Sequence, residues 1–159
     1  FSASESPNDS GPLIVDKAGV SLNFSASGKD SLKASIKVFL PADFAAEGSV
    51  FSVRLGELIE RLAPMDAKGT AVGLNSSLKL KGLSGPALGS LSLSIKNKDL
   101  RAPLAASGLS DRTTTGKGEN VELPVGVAIT SAAGARHVFA GEVMLFYKAA
   151  AGKGGKAKR

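Results

Sequence analysis

From Gly19 onward, the apolar residues of this chain recur at every second position. In LKASIKVFL, residues 32 to 40, Leu32, Ala34, Ile36, Val38 and Leu40 share one parity, while Lys33, Ser35 and Lys37 share the other. Successive side chains of a strand point to opposite faces, so an apolar face backed by Ser and Lys predicts a half-buried antiparallel strand. The pattern returns in Val20, Leu22 and Phe24, in Phe51, Val53 and Leu55, and in Leu74, Leu78 and Leu80. It returns again in Leu91, Leu93 and Ile95, and over Val121, Leu123, Val125, Val127 and Ile129. The run HVFAGEVMLFYK, residues 137 to 148, is apolar at both parities, which predicts a central strand covered on both faces.

Turn-forming clusters punctuate these runs: SGKD at 27 to 30, DAKG at 66 to 69, GKGEN at 116 to 120 and SAAGAR at 131 to 136. In DAKG, Gly69 is placed to take the left-handed conformation that follows a type I turn in a hairpin. Pro124 cannot donate to a ladder, which demotes its strand to an edge or marks a bulge. About seven to nine short strands at this spacing predict an all-β fold, an antiparallel two-sheet sandwich of Ig-like or jelly-roll-like kind. SLKASIK (31–37) and SLSLSIK (90–96) are alike, a pattern that an old duplication into two half-sandwiches would leave.

Two stretches depart from the alternation. RLGELIERLAPM, residues 54 to 65, spaces Leu55, Leu58, Ile59 and Leu62 as a helix would, but reads equally as two strands about a Gly56–Glu57 turn. Pro64 leaves room for only two helical turns, which favours the hairpin. In NKDLRAPLAASG, residues 97 to 108, Asp99 can cap a helix, Pro103 falls in its first turn and Gly108 can end it. One short helix near residues 99–107 is therefore expected, bridging the sheets or lying over one end.

Three parts follow. Residues 1–17 form a polar arm that ends in Leu13, Ile14 and Val15; residues 18–148 form the sandwich; residues 149–159, AAGKGGKAKR and its preceding Ala, form a basic Gly/Lys tail. At 159 residues the chain is long enough for one core, burying about 70% of its unfolded surface. The longest run without a formal charge, Gly82 to Ile95, has 14 residues, short of the roughly 20 apolar residues of a membrane-spanning helix. Net charge is +6, but Lys148, Lys153, Lys156, Lys158 and Arg159 leave 15 cations against 14 acids elsewhere, so the basicity is expected in the tail.

Candidate chemistry is sparse. With no cysteine there is no disulfide, thiolate metal site or cysteine nucleophile. His137 is the single histidine, which excludes a multi-histidine metal site; a strand histidine at an edge or facing solvent is expected. G-x-S-x-G, phosphate-binding glycine loops and the calcium-loop pattern are missing, GLSGP at 82 to 86 being the nearest phrase to the first. Asp30, Asp66, Asp99, Asp111 and Glu119 are expected as solvated turn residues rather than a calcium site. No Trp and one Tyr argue against sugar stacking, and the Phe residues fall on apolar faces, which argues against a nucleic-acid platform. The expectation is a protein without catalysis, cofactor or metal.

Two binding ideas remain. Leu13, Ile14 and Val15 form a donor-strand candidate, able to add a strand to a neighbouring copy and build a fibre or surface assembly. Lys33, Lys37, Lys79, Lys81 and Lys96, with Lys153, Lys156, Lys158 and Arg159, are candidates for an anionic partner such as a cell-surface polymer. Outward lysines also guard sheet edges against aggregation. A first residue that is Phe1 rather than Met, with the Ser, Gly and Ala usage, gives the expectation of an exported, processed protein, extracellular or at the cell surface.

Overall fold

The alternation becomes ten strands in a computed structural model that describes residues 9–40, 44–81, 87–114, 117–132 and 134–159. In chain order these are β1 (Asp9–Asn23), β2 (Asp30–Leu40), β3 (Val50–Leu55), β4 (Leu58–Arg61), β5 (Thr70–Gly73), β6 (Ser76–Lys81) and β7 (Ala87–Lys98). A short helix, α1 (Arg101–Ala105), precedes β8 (Glu119–Thr130), β9 (Arg136–Ala150) and β10 (Gly154–Lys158). The first eight residues of the expected arm and the GLSGP phrase lie outside the described residues, as do Gly116 and Ala133 of two expected turns.

The strands form a single sheet in the order β4-β3-β8-β9-β10-β1-β2-β7-β6-β5. Neighbours are antiparallel except where Asp9–Pro12 of β1 runs parallel to His137–Ala140 of β9. The two edges approach each other through residues 62 to 66. Leu62 N donates to Phe51 O (3.1 Å) and Met65 N to Ser49 O (2.8 Å) on the β3 side, while Ala63 N donates to Val72 O (2.8 Å) on β5. The DAKG turn completes the return: Gly69 takes φ +84°, and Asp66 Oδ1 accepts from the amides of Lys68 and Thr70. The sheet thus curls into a nearly closed barrel in place of the expected two-sheet sandwich; the all-β class stands. Alternation dictates that each strand buries one face, and a sheet rolled on itself meets that demand as well as two stacked sheets do.

The interior is apolar and the outer surface largely polar, the reverse of a barrel lining a membrane pore. Because one sheet has no second covering layer, β9 is not doubly buried. Val143, Leu145, Tyr147 and Ala149 face inward, while Met144 and Phe146 are exposed.

The first and last strands are part of this sheet. On β1, Leu13 and Val15 point inward at odd positions, then Val20 and Leu22 at even ones. A register shift between Val15 and Lys17 against β2 makes the switch, so the described part of the expected arm, from Asp9, runs into the following residues as one strand with a bulge. The basic end is β10, seated between β9 and β1 rather than solvated as a tail. Gly155 and Ala157 face inward, Lys156 and Lys158 outward. A Cβ on Gly155 would stand 2.7 Å from the Tyr147 ring and hydroxyl, so only glycine lets β10 close over that side chain.

Residues 50 to 61 form the hairpin, with Gly56 at φ +63° in its turn. Pro124 lies in β8, between β3 and β9, at the level where β3 ends. Its carbonyl accepts from Gly56 N (2.8 Å), and the β3–β8 ladder begins one residue on, at Leu55 and Val125. The missing N–H falls where ladder pairing with β3 has stopped.

Helix α1 spans five residues and buries Leu104. Its entry is held by Asp30, whose Oδ2 accepts from Leu100 N (2.8 Å), together with the expected Asp99, whose Oδ1 accepts from Arg101 N (3.3 Å). Arg101 Nη1 reaches Phe24 O (3.5 Å) and Tyr147 Oη donates to Ser110 O (2.7 Å), so the crossing from β7 to β8 lies over one end of the barrel. The two alike segments are antiparallel neighbours, Leu32 against Ile95 and Ile36 against Leu91, rather than counterparts in separate halves.

Candidate anion-binding face

The outward residues of β2 include Ser31, Lys33, Ser35 and Lys37; those of β7 include Ser90, Ser92, Ser94 and Lys96; those of β6 are Ser77, Lys79 and Lys81. Register sets them in rows. Lys33 pairs with Ser94 and Ser94 with Ser77; Ser35 with Ser92 and Ser92 with Lys79; Lys37 with Ser90 and Ser90 with Lys81. On the other side of β2, Gly19 of β1 pairs with Lys33 and Lys17 with Ser35, while Lys158 of β10 pairs with Gly19. Serine or glycine therefore separates these lysines across the strands. Directly opposed like charges destabilise a sheet. A one-strand spacer sets Lys37 and Lys81 about 10 Å apart, close enough to sum their fields.

At the centre these rows line an open concavity of about 660 Å³, bounded by Lys17, Lys33, Lys79, Lys158 and Arg159 and lined by Gly19, Ser35, Ser77, Ser92 and Ser94 among others. The chain terminus is fixed there: Arg159 N donates to Ala18 O (3.0 Å), and its guanidinium donates to Val15 O at the bulge. Lys96 lines an adjoining hollow of about 280 Å³ with Asn75, Ser77 and Asn97. Lys156 stands between Ser21 and Lys148 in register. Lys153 lies in the β9–β10 turn, outside the strands that build the face.

Nine of the 20 Lys and Arg residues thus share the outer surface of five consecutive strands, and the remaining 11 are outnumbered by the 14 acids. The positive charge belongs to a face, of which the chain end is one part. Among the described side chains of these strands, Asp16 at the bulge is the exposed carboxylate, and Asp30 is buried. Of the ion pairs among the described residues, Arg101–Asp99 and Arg112–Glu119 lie elsewhere, and Lys98–Glu60 involves the last residue of β7 but none of these nine cations. Lys17 and the serines between the lysines complete the face. A signal for Lys17 was the change of parity after Val15; for the serines it was their alternation with leucine in LSLSIK.

The other candidates are placed apart from this surface. Leu13 and Val15 are buried in the chain's own core and Ile14 is exposed, with β1 flanked by β2 on one side and by β9 and β10 on the other. His137 is 4% exposed and faces inward beside Ile129, not outward or at an edge. The turn acids make separate local bonds: Asp30 with Asn23 N and Leu100 N, Asp111 with Gly152 N, and Glu119 with Arg112. No group of three metal-binding side chains occurs among the described residues. On the opposite half of the barrel, a shared hydrogen bond with Glu142 and the repulsion of its carboxylate push Glu122 above the usual carboxylate range. This pair is exposed on the outer surface.

Ammonium groups and hydroxyls arranged this way donate hydrogen bonds to anions. No family model matches the chain, and no curated protein or solved structure matches it either.

Proposed function

We propose that this protein is a non-catalytic β-barrel binding module that holds an anionic partner against the lysine–serine face. The observation that carries the reading is the gathering on one outer face of nine cations, none of which is in an ion pair among the described residues; Lys98 at the end of β7, paired with Glu60, is not one of them. Confining like charges to one face raises self-repulsion, and an anionic ligand relieves it. Serine hydroxyls between the lysines supply further donors at short range. Assembly through the first strand draws no comparable support, since a copy lending β1 must withdraw Leu13, Val15, Val20 and Leu22 from its own barrel.

Heparin, a dense soluble polyanion, is the probe. Binding should weaken steeply as salt rises, because each neutralised anionic group releases a counterion. Lys33→Gln with Lys79→Gln should lower the log–log salt slope by roughly two. Arg61→Gln with Arg136→Gln makes the same charge change on exposed positions of the other half of the sheet and should leave the slope in place. Equal effects of the two pairs would mean that net charge, not this face, attracts the polyanion.

A further inference from the structure

One end of the lysine array carries apolar side chains that the barrel does not use. Phe39 of β2 and Leu88 of β7 are direct cross-strand partners, both outward, 60% and 57% exposed. Ile14 of β1 is 58% exposed and pairs with Lys37, two residues before Phe39 on the same surface. Lys37 and Lys81 both pair with Ser90, two residues along β7 from Leu88, so cations border the apolar trio. Phe39 and Leu88 stand one residue from the ends of their strands, Leu40 and Ala87, at one end of the barrel.

A soluble polyanion uses the lysines and leaves these three side chains in water. A lipid surface uses both: apolar side chains enter the boundary between headgroups and acyl chains, while lysines lie along it and reach the phosphates. Among the other exposed apolar side chains, Phe146 stands opposite Lys158, whereas the charge around Met144 points the opposite way. Met144 of β9 pairs with Glu122 and lies two residues from Glu142, whose carboxylates repel an anionic surface. Resting on the anion-binding reading above, we propose that the partner of this face is an anionic lipid bilayer, entered by Ile14, Phe39 and Leu88 while the lysines hold its headgroups. Anchoring by a few side chains plus basic residues is reversible and depends on lipid charge.

The test pairs vesicle sedimentation with heparin binding on the full chain. Vesicles are phosphatidylcholine alone, or phosphatidylcholine with about one quarter phosphatidylglycerol. The chain should bind only the mixed vesicles. Phe39→Ser with Leu88→Ser should weaken vesicle binding on the order of tenfold or more while leaving heparin binding unchanged; Lys33→Gln with Lys79→Gln should weaken both. As the chain has no Trp, Phe39→Trp adds a single reporter whose emission should shift to the blue on mixed vesicles and stay put with heparin. Heparin binding without vesicle binding, equal binding to uncharged vesicles, or vesicle binding indifferent to the two Ser substitutions overturns the membrane partner and leaves the anion-binding face standing. Failure to bind heparin or vesicles overturns both.

Discussion

Glu60 and Lys98 clasp the barrel where its edges meet, and separating them should cost different amounts depending on which partner is removed. Glu60, on edge strand β4, is buried, its side chain 4% exposed, while that of Lys98 on β7 is 31% exposed. Lys98 Nζ donates to both carboxylate oxygens (2.7 and 3.0 Å), and Ser76 Oγ of β6 donates to Oε1 (3.1 Å). Lys98→Met strands the carboxylate with one hydroxyl, a loss of about 3–5 kcal/mol for an uncompensated buried charge. That converts to a fall in Tm of roughly 6–20 °C in a domain of this size. Glu60→Gln keeps an acceptor for Ser76 and leaves a lysine that already reaches water, so it should cost only about 1–2 kcal/mol. The double variant should cost less than the sum, with a coupling of about 1–3 kcal/mol. Urea unfolding followed by circular dichroism, with the slope checked for constancy, measures all three. If Lys98→Met is no worse than Glu60→Gln, or the two effects simply add, the pair is not the clasp described.

Tyr147 is the only tyrosine and the chain has no Trp, so tyrosinate absorbance reports one group. Burial pushes its phenol up to about 12, with the Arg112 guanidinium opposing and Asp111 adding to the rise. A raised value means that this contribution to stability is complete below the ordinary value near 10 and is lost as pH climbs through about 12. Native protein should titrate about two pH units above urea-unfolded chain; coincident curves would contradict the buried placement. At the chain end, Gly155→Val should destabilise by about 1–3 kcal/mol through collision with Tyr147, whereas outward Lys156→Ala should stay within about 0.5 kcal/mol. Equal, negligible losses of denaturant midpoint would mean that β10 is not docked.

Much of the strand content was legible because parity alone records it. Leu32 to Leu40, Leu91 to Ile95 and Val121 to Ile129 face inward as their alternation requires. The hairpin about Gly56, the Gly69 turn and the helix near Arg101 followed from local turn and proline chemistry. What parity does not record is which strands pair, so a rolled single sheet and a sandwich looked alike. It also fails where a bulge inverts it, as between Val15 and Lys17, and where the inward residues are too small to look apolar, as in Gly155 and Ala157 of β10. Those two failures set the residues of β1 before Ala18 and those of β10 apart from the sheet that contains them. They also hid that Lys17, Lys158 and Arg159 lie beside Lys33.

The placement of the lysines also bears on why they are there. Lysine protects β proteins from edge-to-edge pairing when it sits on an edge strand. Here the edge strands are β4 and β5, whose outward residues include Ile59 and Val72, and neither contains a lysine. The lysines of the face stand instead on β10, β1, β2, β7 and β6, each hydrogen-bonded to a neighbour on both sides, where there is no open ladder to guard. Solubility does not call for them either, since the serines beside them already make those strands polar outside. A ring of charge dispersed around the barrel would keep it soluble with less self-repulsion than a cluster confined to five strands. The cluster costs the free protein something that neither edge protection nor solubility returns; on the proposed reading, contact with an anionic surface does.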